Sequence, residues 1–367
     1  MHDPTLLVIN PGSTSTKVAV FQGERIEASG VLRHDAAAIA AFPRIFDQFD
    51  MRREAVYQFL ADNSFPIGRF SAVIGRGGVL PPVEGGVYIV DDTMVEALYE
   101  YGWNHASSLG ALIARDIAAA AGIPAYIADP VTTDELDDVA RITGLPEIER
   151  RSVFHALNQK AVARRAARAL GREYCECNLI VVHLGGGISV GGHRKGRVAE
   201  VSNALDGEGP YAPERSGSLP NTGVVKLCFS GAYTEREIRK KITGQGGLVA
   251  YLGTNSLLDV EKRIAEGDEH ARLCYEGMAY QVAKEIGRVA CAMSGEADAI
   301  VVAGGAANST MLVELITDRV KFIAKVLVYP GEEEMQALAQ AAIRALAGAE
   351  QAKRMSPLKT SPKSHTE

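Results

Sequence analysis

The sequence has few cysteines, no long apolar run and no large excess of charge of either sign. Five cysteines in 367 residues are too few for a disulfide scaffold, and the pair Cys175 and Cys177 has no second Cys/His cluster to complete a metal site. No apolar run approaches the roughly 18 residues of a membrane span. The first apolar run begins at Thr5, so no signal peptide is expected. These absences favour a cytoplasmic protein with free thiols and no membrane partner.

The charge balance argues against nucleic acid as a partner. The chain has 39 basic and 45 acidic residues, a net charge of −6, so any anion site must be local. The basic stretch RRAAR at 164–168 is spaced by alanine on a predicted helix, which is typical of a solvated face. With 47% hydrophobic and 23% charged residues, the composition indicates a globular protein long enough for two domains.

Strand and helix patterns alternate along the chain and predict an α/β protein with two similar halves. Apolar, β-branched runs predict strands in 5–21 and again in 178–192, each pair joined by a polar or glycine turn. This repeat indicates a duplicated α/β domain with a cleft between the copies.

The expected domain limits follow from the repeat. The N-terminal domain spans 1–150 and is joined by a C-terminal helix at 331–350, and the nucleotide-binding domain spans 151–330. The segment 351–367 is rich in Pro, Ser and Lys and is predicted to be a disordered tail.

Both copies of the repeat carry a turn suited to phosphate. The first contains the hydroxyls of Ser13 and Ser15 and is followed by Lys17, and the second is the glycine run Gly185, Gly186 and Gly187. Backbone N–H groups, hydroxyls and an ammonium are suitable partners for an anion with several oxygens. No Walker sequence is present, and either turn alone is compatible with an ordinary hairpin. Together they predict a grip on opposite ends of one polyphosphate.

A third glycine turn follows the strand at 299–303 and opens a helix. Gly304 and Gly305 there allow a flat base or a ribose to approach the backbone. This turn favours a nucleotide as the polyphosphate ligand.

These motifs resemble the acetate kinase family of the actin-like ATPase superfamily, over about residues 5–350. LLVINPGSTSTK is similar to the first phosphate motif of that family, VVHLGGGISV to the second, and VVAGGAANS, which includes Asn308, to the adenosine motif. Within the family, GRGG at 75–78 and NALDGEGPYAPERSGSLP at 203–220 resemble butyrate kinases rather than acetate kinases. The resemblance implies two duplicated ribonuclease H-like domains with a central cleft, in a homodimer or larger homo-oligomer.

The activity implied by the resemblance is reversible, in-line phosphoryl transfer between ATP and butanoate or a branched-chain acid, with Mg²⁺, giving ADP and an acyl phosphate. A carboxylate, with a pKa of roughly 4–5, is already ionised at neutral pH and needs no general base. It needs positioning and cations that offset the charge of the transferring group. An acetate or propionate kinase and a non-catalytic ATP sensor are the alternatives. A sensor would not need an arginine for the carboxylate.

Two arginines are candidates for that chemistry. Arg76 lies between glycines after a strand, and we expect it to bind the carboxylate, the alternative being a surface arginine in a turn. Acetate kinases carry H-G-G here with their arginine a few residues earlier, so the sequence departs from their pattern. For Arg215 the resemblance implies stabilisation of the transferring phosphoryl group, which suits a planar cation with five donors. Its alternative is an ion pair with Glu208 or Glu214.

Three histidines match positions of the family. The resemblance implies that His155 stabilises the transition state, that His183 contacts the nucleotide, and that His105 lies on the substrate side. Each is also compatible with a structural role.

Oxygen ligands for Mg²⁺ are expected near both ends of the chain. Asn10 and Glu333 are the expected metal ligands, and Asn10 also belongs to the phosphate motif, since Mg²⁺ prefers a few hard oxygen ligands completed by phosphate oxygens. The run of three acids at 332–334 leaves the choice open; the resemblance favours Glu333, and the alternative is that all three acids favour a helix N-terminus. Asp129, at a strand tip, is expected to hold Mg²⁺ through water or to orient an arginine, the alternative being a turn cap.

Two features limit the resemblance. Relatives tend to carry an acidic and a basic residue near the adenine ring, where this chain has Ser256, Leu257 and Leu258. Lys17 faces the first turn only if strand alternation directs it inward, so we do not expect it to be the main catalytic cation.

Overall fold

The computed structural model describes residues 3–102 and 105–356, which divide into two compact units. One unit contains the chain up to Thr132 and from Glu334 onward, and the other spans Thr133–Glu333. The boundaries between the two units therefore lie after residues 132 and 333, whereas the limits predicted from the sequence lie after residues 150 and 330. In the first unit the C-terminal helix packs against the N-terminal strands.

The first unit is built on a six-stranded mixed sheet. Its strands are β1 (Thr5–Pro11), β2 (Ser15–Gln22), β3 (Arg25–Arg33), β4 (Ala72–Arg76), β5 (Val87–Ile89) and β6 (Ala125–Ala128), in the spatial order β3-β2-β1-β4-β6-β5. Strand β1 pairs antiparallel with β2 and parallel with β4, and β4 pairs parallel with β6. Every residue of β1 is buried, which explains its continuous apolar sequence.

The helices of this unit cover the sheet. They are α1 (Ala36–Ala40), α2 (Phe49–Asp62), α3 (Asp92–Tyr101), α4 (Ser108–Ala121) and the last helix of the chain, α13 (Glu334–Leu346). A Cβ atom on Gly75 of β4 would lie 2.1 Å from the carbonyl oxygen of Gly110 in α4. Only glycine therefore allows α4 to pack directly on the strand that ends in Arg76.

The second unit is built on a five-stranded mixed sheet with helices around it. Its strands are β7 (Asn178–Leu184), β8 (Ile188–Arg194), β9 (Arg197–Val201), β10 (Ala299–Gly304) and β11 (Val326–Pro330), in the order β11-β10-β7-β8-β9. Its helices are α5 (Asp138–Arg141), α6 (Ala156–Ala169), α7 (Asn221–Cys228), α8 (Glu235–Ile242), α9 (Gly247–Leu252), α10 (Leu257–Ala265), α11 (Glu269–Ala292) and α12 (Thr310–Val320).

The predicted repeat is confirmed by the sheet topology. In both sheets an antiparallel hairpin, β1–β2 or β7–β8, has a parallel strand beside its first member, β4 or β10. The two candidate phosphate turns are the tips of these hairpins. They therefore occupy equivalent places in two similar α/β units.

The first residues of the predicted disordered tail are ordered, which corrects that expectation for 351–356. The Lys353 N–H donates to the Val87 carbonyl (2.8 Å), and the Ile89 N–H donates to the Lys353 carbonyl (2.9 Å), so the segment pairs with β5 at the edge of the sheet. Met355 is buried in the core of the first unit. The backbone of an edge strand needs partners, and a composition rich in polar residues does not reveal this pairing. Residues 357–367 lie outside the described residues.

The helices of the described segments show no candidate for crossing a bilayer, because none combines sufficient length with sufficient apolar character.

Candidate active site

The first phosphate turn is a tight connection between β1 and β2. The Gly12 N–H donates to the Ser15 carbonyl (2.7 Å), which closes the turn. Gly12 and Ser13 are exposed, and Ser15 is half-buried. Lys17 is exposed on β2, between buried neighbours.

A buried arginine that the sequence analysis missed holds this turn from its interior side. Arg52, in α2, is fully buried, and its guanidinium donates to the carbonyls of Gly12 (2.9 Å), Ser13 (2.9 Å) and Ser15 (3.1 Å). No carboxylate of the described segments lies within ion-pair distance of it, and its other side-chain partners are Gln48 and Thr16. Burial lowers the pKa of Arg52, but arginine remains protonated at neutral pH. An uncompensated positive charge therefore lies directly behind the turn.

Three polar side chains meet at the end of β1 and β4. The Asn10 Nδ2 donates to Glu334 Oε2 (2.7 Å), and Arg76 forms an ion pair with the other oxygen of that carboxylate. Because β1 and β4 are parallel neighbours, their C-terminal ends lie side by side at the same end of the sheet. Glu334 reaches them from the first turn of α13.

The acids at 332–334, among which the resemblance favours Glu333 as a metal ligand, have three different environments. Glu333 is exposed, belongs to the second unit and pairs with Arg165 (3.0 Å). Glu332 Oε1 lies 3.5 Å from His183 Nε2. Glu334 is the acid that contacts Asn10. Helix α13 begins at Glu334, so this residue belongs to the first unit. Glu332 and Glu333 belong to the second unit.

Asp129 lies at the C-terminal ends of the parallel strands, as Arg76 does. It follows β6, where Ala128 is the partner of Arg76 in the parallel ladder, and it is buried. Its Oδ1 accepts a hydrogen bond from the Gly86 N–H (2.7 Å), and its backbone has φ of +39°. A positive φ is uncommon outside glycine, although aspartate is among the residues that tolerate it. Asp129 thus binds the backbone just before β5 with both its carboxylate and its N–H, which donates to the Gly86 carbonyl (3.0 Å).

His105 lies just before α4. Its Nδ1 is 2.6 Å from Ser107 Oγ. Desolvation first, and then the charge of Arg76, lower the pKa of His105. Both effects favour the neutral form of His105, and the second arises because the ring is near the candidate carboxylate-binding arginine.

The second phosphate turn lies against Arg215. The Gly185 N–H donates to the Gly187 carbonyl (3.1 Å). A Cβ atom on Gly187 would lie 2.1 Å from Arg215 Nη1, so glycine is required for the guanidinium to lie on the turn. Nη1 donates to the Ala204 carbonyl (2.6 Å).

Arg215 is not held in either of the ion pairs considered as alternatives. Glu208 pairs with Arg150 (3.1 Å), and Glu214 Oε1 accepts from the Asn255 amide (2.5 Å). Within the described parts of the chain, Arg215 has no carboxylate at ion-pair distance. Burial lowers the pKa of Arg215, against a smaller opposing effect of Glu214. Its charge remains available to an anion.

Two histidines stack beside this turn. His155 is the N-cap residue of α6, and its ring lies 3.9 Å from that of His183, with 15° between the planes. His183 is the next-to-last residue of β7, just before the glycine run, and its Nδ1 lies 2.8 Å from Asn158 Oδ1. His155 Nδ1 lies 2.9 Å from Ser189 Oγ. The first turn of α6 and the end of β7 thus place both rings at the phosphate turn.

A cavity of about 780 Å³ adjoins the second turn, within the usual size range for small-molecule sites of about 300–1,000 Å³. Gly304 has φ of +96°, and a Cβ atom there would lie 2.2 Å from the Leu184 carbonyl oxygen. The cavity is lined by the glycine turn, the turn after β10, and the residues that replace the charged pair of relatives; these include Gly185, Gly186, Ser256, Leu257, Leu258, Gly305 and Asn308.

Comparisons with known proteins show what the sequence and the fold are similar to. The model of the acetokinase family matches residues 147–354. Butyrate kinase 2 of Clostridium acetobutylicum is 51% identical over 350 residues, which cover 95% of this chain and 98% of that protein. Among solved structures, an acetate kinase from Porphyromonas gingivalis superposes with a TM-score of 0.76 at 18% identity, covering 92% of this chain and 99% of the other. A propionate kinase from Francisella tularensis gives 0.72 at 19% identity, covering 92% and 98%.

Proposed function

Because the chain belongs to the acetokinase family, we propose that it is a short-chain carboxylate kinase that transfers a phosphoryl group between ATP and butanoate. The observation that carries this proposal is the identity to a butyrate kinase over nearly the whole chain. The likeness to acetate and propionate kinases supports the actin-like fold, and the two glycine or hydroxyl turns support a polyphosphate ligand.

In the first unit, we assign the carboxylate to Arg76. One of its five donors contacts Glu334, and the others suit the two oxygens of a carboxylate. His105, whose neutral form is favoured by desolvation and by the charge of Arg76, would line the same side of the site. Arg76 would act by positioning the attacking oxygen.

In the second unit, we assign stabilisation of the transferring phosphoryl group to Arg215 and His155. The reaction places charge on the equatorial oxygens of that group. Arg215 has no carboxylate partner among the described residues, and it lies on the glycine turn. Contacts with Ser189 and His183 hold His155 beside the glycine turn.

For Mg²⁺ we propose Asn10 and Glu334, with Asp129 acting through water. Hard oxygen ligands near the C-terminal ends of neighbouring strands fit this ion. In the described segments, no group of three or more His, Cys, Asp or Glu residues forms a metal site on its own. Phosphate oxygens would complete the shell. When bound, the ion would offset the negative charge of the phosphates.

A hydroxamate assay tests the proposal. Purified protein is incubated with ATP, Mg²⁺, hydroxylamine and a series of acids from acetate to valerate, including isobutyrate. We expect the highest kcat/KM with butanoate or isobutyrate. A preference for acetate or propionate would support the alternative kinase, and no hydroxamate with any acid would support a non-catalytic ATP sensor.

We further propose that the chain forms a homodimer or larger homo-oligomer. Helix α7 has eight residues and buries none of them, and Val225, Leu227 and Phe229 in and beside it are exposed. An isolated helix of this length is marginal in water, so a partner subunit would stabilise it. Light scattering after size-exclusion chromatography would show a monomer if this proposal is wrong.

A further inference from the structure

Ser189 is a fully buried residue whose hydroxyl contacts two side chains of the candidate site. It lies in β8, directly opposite His183 in the antiparallel ladder. Its Oγ lies 2.9 Å from His155 Nδ1 and 2.9 Å from Gln159 Nε2. The direction of these two hydrogen bonds decides which nitrogen of His155 carries a proton.

The orientation of the Gln159 amide is set by an unambiguous acceptor. Gln159 Nε2 lies 3.2 Å from the backbone carbonyl oxygen of Ser189, which can only accept. The amide nitrogen therefore faces Ser189 and donates to its hydroxyl. Gln159 is itself fully buried, and a Cβ atom on Gly191 would lie 2.5 Å from its Oε1, so glycine at 191 leaves room for this side chain.

The other end of the Gln159 amide is consistent with this orientation. Its Oε1 lies 3.0 Å from His193 Nε2, which must then carry a proton and donate. His193 Nδ1 lies 2.8 Å from the Tyr174 hydroxyl, which can donate to it. Every group in the series Tyr174, His193 and Gln159 thus has a complementary partner.

The Ser189 hydroxyl accepts from Gln159, so its own hydrogen needs an acceptor. Its hydrogen-bond partners among the described residues are Gln159 Nε2, which only donates, and His155 Nδ1. If His155 carried a proton on Nδ1, the Ser189 hydrogen would have no acceptor, in a position with no solvent access. A buried donor without a partner costs about 1–3 kcal/mol.

We propose that Ser189, oriented by Gln159 and His193, acts as a positioning residue that fixes His155 in the neutral tautomer protonated at Nε2. This inference rests on the proposed function for its consequence: an Nε2–H group is a donor suited to an oxygen of the transferring phosphoryl group. Tautomer control by a partner of the other ring nitrogen is a general property of histidine sites.

Long-range proton–nitrogen correlation spectra of histidine-labelled protein test the tautomer directly. His155 is assigned by comparison with His155→Gln. At a pH where His155 is neutral, we expect protonated Nε2 in the wild type, and a mixture of tautomers or protonated Nδ1 in Ser189→Ala. Protonated Nδ1 in the wild type would overturn the proposal, as would an unchanged tautomer in Ser189→Ala. These spectra need no turnover, so they separate failure of this inference from failure of the proposed kinase activity.

Kinetics supply the second readout. Loss of the hydrogen-bond partner of a metal-bound histidine typically costs about 10–100-fold in activity. By analogy, Ser189→Ala should lower kcat by about that factor and leave both KM values nearly unchanged. Gln159→Met, which removes the donor to Ser189, should act in the same direction and serves if the first variant folds poorly. Ser202→Ala is the matched control: Ser202 is equally buried beside the same strand, and its hydroxyl accepts from the Val190 N–H. Equal losses of kcat in Ser189→Ala and Ser202→Ala would contradict the proposal.

Discussion

Replacing Arg52 with methionine would test whether the first phosphate turn is held from its buried side. Methionine has a similar reach but no donors. The carbonyl oxygens of Gly12, Ser13 and Ser15, together with Gln48 Oε1, would lose their charged partner. The Ser15 carbonyl keeps the Gly12 N–H as a donor, so the other three acceptors are the ones left unpaired. Each unpaired acceptor costs about 1–3 kcal/mol, and water can reach parts of the exposed turn, so we take the lower limit and expect a loss of about 3 kcal/mol.

The expected loss is large enough to measure by thermal denaturation. For a domain of this size, about 3 kcal/mol corresponds to a fall in Tm of roughly 6–12 °C. The KM for ATP should also rise by at least about tenfold, the equivalent of 1.4 kcal/mol of lost phosphate binding. The KM for butanoate should change little, because Arg52 contacts the phosphate turn and not Arg76.

Two variants complete the experiment. Arg52→Lys keeps the charge but not the planar fork, so it should fall between the wild type and Arg52→Met. Arg53→Met is the matched control. The neighbouring arginine forms surface ion pairs, worth about 0–1 kcal/mol, and its guanidinium lies 5.3 Å from the centre of the Phe49 ring, a contact worth about 0.5–1 kcal/mol at an exposed site. The reasoning would be refuted if Arg52→Met melted like Arg53→Met and kept the wild-type KM for ATP.

The other predictions concern the roles of single side chains. Arg76→Ala should chiefly raise the KM for the acid, whereas Arg215→Ala should lower kcat by ~10³-fold, with Arg215→Lys restoring little; steady-state kinetics with the opposite pattern would reverse the two assignments. Glu334→Gln should raise the Mg²⁺ concentration needed for half-maximal rate, and Glu333→Gln should not; equal effects in a Mg²⁺ titration would argue against the assignment. Burial, together with nearby positive charges, holds the pKa of His193 well below its usual value, so the unfolded chain binds a proton that the folded chain does not, and stability should fall as pH drops below about 6.5. His193→Gln should flatten the decrease of Tm between pH 7 and 5, and an unchanged slope would show that other groups cause it.

The repeated strands and their turns were predictable because they carry local signals. Buried strands such as β1 and β7 are continuous apolar runs, and the glycine turns follow them directly. Strand β3 was not predicted. It lies at the sheet edge and is largely exposed, so its sequence lacks the apolar pattern of a buried strand.

The contacts that organise the site were harder to predict because they join distant parts of the chain. No local pattern marks Arg52 as a buried donor to backbone carbonyls, since an arginine in a helix is usually exposed. The choice between Glu333 and Glu334 depends on the residue at which α13 begins, and helix boundaries are poorly defined by sequence. The partners of His155 are set by strand pairing across β7 and β8.

Isotope-labelled butanoate gives the most direct test of the central claim, that this protein joins a carboxylate oxygen to the terminal phosphorus of ATP. Wild-type protein is incubated with Mg²⁺, ATP and butanoate carrying ¹⁸O in its carboxylate, and the products are followed by ³¹P nuclear magnetic resonance. Direct in-line transfer predicts ADP and a new acyl phosphate whose phosphorus is bonded to ¹⁸O, with little product from Arg215→Ala. ADP with unlabelled inorganic phosphate, or no turnover of ATP, would contradict the account.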